Sequence, residues 1–75
     1  MDTTPASVAL GQSITAARIK RKLGGRELAR LVGIDHGYLW RIEHGRAATL
    51  ERYDSIAKAL GMVLVFRFRP EKRAA

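Results

Sequence analysis

The sequence predicts an all-α domain of four short helices, closed by one C-terminal β-strand. Three observations predict it. Apolar residues recur at steps of three and four between Val8 and Leu60. Glycines at positions 24, 25, 33, 45 and 61 cut this pattern into four stretches. From Met62 to Arg69 the period changes to two, in a run rich in β-branched and aromatic residues. The 75 residues make one domain. A chain of this size buries only about 60% of the surface it exposes when unfolded, so its core is expected to be thin.

Residues 1–7 are small and polar and read as a flexible N-terminal arm, in which Thr4 and Pro5 suit a helix cap and first helical position. Residues 8–61 form the helical domain. Leu10, Ile14 and Ala17 form the stripe of the first helix, which ends near Lys22, before Gly24-Gly25. The second helix runs from Gly25 to Val32, with Leu28, Leu31 and Val32 as its apolar side and Gly33 as a C-terminal cap. Asp35 caps a third helix from His36 to His44, whose Leu39 and Ile42 face inward. Thr49 caps a fourth, Leu50 to Leu60, with the stripe Leu50, Tyr53, Ile56, Ala57 and Leu60.

In the strand, residues 62–69, Leu64, Phe66 and Phe68 share one face, opposite Val63, Val65, Arg67 and Arg69. Pro70 ends it, and residues 70–75 form a basic tail. No second strand exists upstream. A lone strand leaves unpaired N–H and C=O groups and an apolar face. Two outcomes remain open: pairing with its own copy across a homodimer, or packing as an extended tail on its own helices. Dimerisation through Met62, Val63, Leu64, Val65, Phe66, Arg67 and Phe68 is the favoured one, because it also enlarges the core.

Fourteen Lys and Arg face seven Asp and Glu, a formal charge of +7. A small, strongly basic domain suggests a polyanion partner: nucleic acid, an anionic membrane surface or an acidic protein. Arg18, Lys20, Arg21, Lys22, Arg26 and Arg30 form one basic cluster; Arg67, Arg69, Lys72 and Arg73 form a second. The absence of cysteine excludes disulfides and thiolate metal sites. His36 and His44, eight residues apart, are too distant to share a metal, and no nucleophile–His–acid spacing or phosphate loop appears. No enzyme and no cofactor are expected. The longest apolar run, Met62 to Phe66, cannot span a bilayer, and no secretory signal is apparent, so a cytoplasmic location is expected.

The second and third helices carry the most specific signal. In Leu28-Ala29-Arg30-Leu31-Val32-Gly33-Ile34, Ala29 is small where two helices cross, Gly33 allows a positive φ at the turn, and Ile34 can plug the angle between the helices. This is the recipe for a helix-turn-helix. With Leu39-Trp40-Arg41-Ile42-Glu43-His44-Gly45, it resembles the Cro/phage-repressor (Xre) family of DNA-binding proteins. The resemblance runs from Leu10-Gly11-x-x-Ile14 to Ala57-x-x-Leu60-Gly61. Four helices followed by a strand further resemble the HipB-type antitoxins, from which this chain departs in its short tail.

Independently of any family, Arg18 projects from the inward stripe of the first helix and Glu43 sits beside Ile42. The two are expected to pair, because a partly buried charge needs a counter-ion; the alternative is that both heads reach solvent. By helical spacing, positions 36, 37, 40, 41 and 44 share the outward face of the third helix. The resemblance implies that this helix enters the major groove, with His36, Gly37 and Arg41 at the base-reading positions. Candidates for phosphate contact are the second-helix N-terminus at Gly25, Arg26, Tyr38, which is unusual for the family, and His44 and Arg46. Trp40 either packs on sugar-phosphate or on its own core. The family usually has Ser or Thr, then Gln, where Gly24 and Gly25 stand here. The implied partners are double-stranded DNA carrying an inverted repeat, a second copy of the chain, and a HipA-like kinase toxin. The implied place of action is the cytoplasmic nucleoid. A stand-alone phage or plasmid-type repressor with no toxin is the alternative.

Overall fold

The computed structural model describes residues 3–72 and contains four helices: α1 (Pro5–Lys20), α2 (Gly25–Val32), α3 (His36–Glu43) and α4 (Leu50–Ala59). Met1 and Asp2 of the expected arm, and Arg73 to Ala75 of the expected basic tail, lie outside the described residues. Among the described residues, no helix is long and apolar enough to cross a membrane.

Helix α1 begins at Pro5, earlier than the Val8 that its apolar stripe suggests. Thr4 is the reason. Its hydroxyl accepts the Ser7 N–H at 3.0 Å, and the Ser7 hydroxyl accepts the Thr4 N–H at 2.8 Å. This reciprocal cap satisfies donors that a helix start would otherwise leave open. Ser7 is buried and donates to the Gly45 carbonyl at 2.7 Å, while Thr3 forms an antiparallel bridge with Arg46. Residues 3–7 are therefore tied to the loop after α3, which corrects their reading as a flexible arm. At its other end α1 stops at Lys20, short of Lys22. Lys22 takes a left-handed φ of 59°, and the Leu23 N–H returns to the Arg18 carbonyl at 3.1 Å.

The other three helices start where their caps predict. Asp35 Oδ2 accepts the N–H groups of Gly37 and Tyr38, at 2.9 and 3.3 Å. Thr49 Oγ1 accepts the Arg52 N–H at 3.1 Å. Gly24 has no side chain to offer, and the Glu27 carboxylate accepts its N–H at 3.4 Å. Between α2 and α3, Gly33 has φ +83°, and the N–H groups of Gly33 and Ile34 converge on the Ala29 carbonyl. This left-handed residue turns the chain sharply enough to set α3 across α2.

The core comprises Ile14, Leu28, Ala29, Leu39, Ile42, Tyr53, Ile56 and Leu60. Helix α1 packs on α3, and α2 packs on both α3 and α4. Of the other stripe residues, Leu10, Ala17, Val32 and Ala57 are half-buried, whereas Leu31 and Leu50 are each 60% exposed. Ala29 takes the buried place on α2 that Leu31 was expected to share. Gly11 permits the closest approach. A Cβ there would meet the backbone carbonyl oxygens of Ile42 and Glu43, the latter at 2.7 Å, so α1 lies directly on the end of α3.

Residues 62–72 form neither helix nor strand. The expected strand 62–69 is absent because a strand is defined by its ladder, and no segment within one copy pairs with it. The expected Leu64–Phe66–Phe68 face is not buried as a unit. Leu64 is half-buried against the core, whereas Phe66 and Phe68 are exposed, as are Met62, Val63 and Val65. The start of the tail borders a groove of about 280 Å³ between Leu10 and Ala17 of α1 and Tyr53 and Ala57 of α4.

Candidate nucleic-acid interface

Helix α3 is anchored from behind and bare in front. Leu39 and Ile42 are buried, and Trp40, Arg41 and His44 are exposed. His36 and Gly37, at its N-terminal end, are half-buried. The five positions expected to share the outward face thus divide, with the bare side chains towards the C-terminal end.

Three local contacts shape this face. A Cβ on Gly37 would lie 3.7 Å from Nη1 of Arg41, so the Arg41 side chain reaches back along α3 towards its N-terminus. A Cβ on Gly25 would lie 3.0 Å from Nε2 of His36, so the imidazole rests against the start of α2. Trp40 stacks on His44, with ring centroids 3.8 Å apart at 19°, and His44 Nδ1 lies 2.8 Å from the Trp40 carbonyl. Of the two packings open to Trp40, the core is therefore not the one adopted: the indole is 54% exposed and leans on a neighbour of its own helix.

Tyr38 packs part of its ring on the core. Two guanidinium groups flank the rest: the Cζ of Arg46 is 5.8 Å from the ring centroid and that of Arg52 is 5.7 Å. Arg52 was not singled out by sequence reasoning. It sits in the first turn of α4, fourteen positions from Tyr38 in the chain, and the fold brings the two together. Arg26 is exposed on the first turn of α2, next to Gly25.

Behind α3, Arg18 and Glu43 meet in a two-pronged pair, Nε to Oε2 at 2.9 Å and Nη2 to Oε1 at 3.1 Å. Thr15 donates to Oε1 of Glu43 at 2.9 Å, and Arg18 Nη1 donates to the Leu23 carbonyl at 3.0 Å. The Glu43 side chain is only 6% exposed. The hydrogen bonds that Arg18 donates to Glu43 raise its pKa above its ordinary value, outweighing the opposing effect of burial. Arg18 therefore stays charged throughout the physiological range. Among the described residues, the other ion pair is Lys58–Asp54 at 3.7 Å, on the surface of α4. Arg26, Arg41, Arg46 and Arg52 have no carboxylate partner there, and their charge faces solvent. A rigid helix with unpaired guanidinium groups around it is suited to a polyanion with a groove.

A family model described as a helix-turn-helix domain matches residues 9–65. The chain belongs to the helix-turn-helix domain family. No curated protein of known function matches the sequence significantly. In helix-turn-helix terms, α2 and α3 are the motif and α3 is its second helix, the one that such domains lay in the major groove. The match spans every helix except the first turn of α1, and extends into the tail as far as Val65. Membership of the helix-turn-helix domain family supports a DNA-binding regulator.

Proposed function

We propose that the protein is a sequence-specific, double-stranded DNA-binding transcriptional repressor that acts as a homodimer. The observation that carries this reading is the outer face of α3, where Arg41 is exposed, without a carboxylate partner among the described residues, and drawn back over Gly37 towards the N-terminal end of the helix. An arginine fork there matches guanine O6 and N7, a contact that discriminates by about 1–3 kcal/mol. His36 is the second base-reading side chain. Gly37 reads no base itself and leaves room for Arg41. Arg26, Tyr38, His44, Arg46, the exposed edge of Trp40 and the backbone at Gly25 contact phosphates and fix the register.

Dimerisation rests on residues 62–68. Exposed Met62, Val63, Val65, Phe66 and Phe68 make an apolar run that a second copy would cover, most economically by strand pairing about a two-fold axis. Two α3 helices then meet half-sites about 34 Å apart on an inverted repeat. Selection from a random duplex pool tests this. An enriched inverted repeat, with Arg41→Ala losing preference at one base pair of each half-site, is the expected result. Absence of any enriched motif contradicts it.

The finer role we propose is that of an antitoxin, working in the cytoplasm at the nucleoid, which represses its own operon and binds a HipA-like kinase toxin. The long apolar stretch of the tail supports a partner beyond DNA. A stand-alone phage or plasmid-type repressor is the alternative. Copurification of a kinase with the protein expressed from its native operon distinguishes the two.

A further inference from the structure

We propose that Tyr38, Arg46 and Arg52 form one clamp for a backbone phosphate of the bound duplex, with Arg52 of α4 as a DNA-contacting residue. The inference rests on the DNA-binding reading above and extends its footprint onto a third helix.

Two guanidinium groups are held within 6 Å of one ring centroid, with no carboxylate paired to either among the described residues. Arg52 also stands in the first turn of α4, where the partial positive charge of the helix N-terminus disfavours a cation. The aromatic ring offers only a weak attraction at such an exposed site. The Tyr38 hydroxyl makes no hydrogen bond within the described residues, so it too is a donor awaiting an acceptor. Arg46 is exposed, and Tyr38 and Arg52 are half-exposed, so solvent and a ligand can reach all three.

The ring itself is fixed. Tyr38 packs on the core, and its N–H is held by the cap of α3. It therefore sets where the two arginines stand relative to the groove-facing helix. Donor groups from α3, the loop after it and α4 thus stand about one ring, with no acceptor of their own among the described residues. The non-bridging oxygens of a phosphodiester accept from a phenol and from guanidinium forks alike. A free phosphate ion shares this chemistry, but the clamp flanks the face that α3 presents, which favours the duplex backbone as the source.

The test compares wild type, Arg52→Ala and Arg52→Lys by fluorescence anisotropy. Each is titrated with a random-sequence duplex and with the selected operator, at several salt concentrations, with and without added inorganic phosphate. The proposal expects Arg52→Ala to weaken both duplexes by a similar factor, about tenfold, and to lower the salt slope by about 0.9. Arg52→Lys should recover part of the affinity, low millimolar phosphate should not compete, and the thermal midpoint should not fall. Unchanged affinity and slope for Arg52→Ala overturn the proposal while leaving the DNA-binding reading intact. So does a loss confined to the operator, which marks base reading, or competition by phosphate at low millimolar levels, which marks a free-anion site. Wild type that binds neither duplex overturns both.

Discussion

Arg18 of the first helix and Glu43 at the end of the third are joined by two hydrogen bonds, of 2.9 and 3.1 Å, in a setting where Glu43 is almost wholly removed from water. This pair fixes the back of α3 while its front stays bare. Removing Arg18 leaves a buried carboxylate with one hydroxyl for company. Arg18→Ala should cost about 3 kcal/mol or more, a large share of the stability of a small domain. The surface pair Lys58–Asp54 is the control: Asp54→Ala should cost less than about 0.5 kcal/mol. Urea denaturation followed by circular dichroism checks both. Equal effects would mean that the Arg18 pair is no stronger than a solvated one.

Gly11 allows α1 to rest on the carbonyl oxygens of Ile42 and Glu43. Backbone atoms cannot swing aside as a side-chain tip can. Gly11→Ala should therefore destabilise by about 1–3 kcal/mol, although alanine is the better helix former by about 1 kcal/mol. A rise in the thermal midpoint would show that the two helices can separate without loss.

Gly25 presents the opposite case. A methyl group there meets only the tip of the His36 ring, which can rotate away. Gly25→Ala should leave the midpoint unchanged or raise it slightly, because it removes a flexible residue from a helix start. Its effect should fall on recognition. With His36 displaced, preference at the base pair it faces should change about fivefold, within the range of a single base contact. Binding measured across single-base operator variants would reveal this, and an unaltered preference profile would show that His36 reads nothing from its present seat.

The apolar tail makes the dimer testable apart from DNA. Replacing Phe66 and Phe68 together by glutamate should yield a monomer in sedimentation velocity, at concentrations where wild type is a dimer. The far-ultraviolet spectrum should keep its helical signal, because both residues lie beyond α4 and outside the core. Operator affinity should fall steeply, since the two half-sites would no longer be bound as one. A wild type that is monomeric at micromolar concentration rules out the dimer.

Much of this architecture is legible in the amino acids because its punctuation is chemical. Asp35 and Thr49 cap helices with their own oxygens, and Gly33 turns the chain, so α2, α3 and α4 can be placed from sequence within a residue or so. Arg18 and Glu43 could be matched because each sits on or beside an apolar stripe. Thr4 and Pro5 mark the start of α1 in the sequence, but the mutual cap of Thr4 and Ser7, and the link from Ser7 to Gly45, show only in the structure. Leu31 and Leu50 misled for a different reason: an apolar residue at the edge of a stripe carries no sign of whether a neighbour covers it. Arg52 gave no signal at all, since its nearness to Tyr38 arises from tertiary packing, and no periodicity encodes that. The tail alternates like a strand, but nothing pairs with it among the described residues of one copy.

The most direct measurement is the salt dependence of duplex binding by the full chain. If α3 docks in the groove and the surrounding cations hold about eight phosphates, the logarithm of the binding constant should fall with that of the salt concentration at a slope near −7. A slope near zero, or no binding to any duplex in dilute buffer, would contradict it.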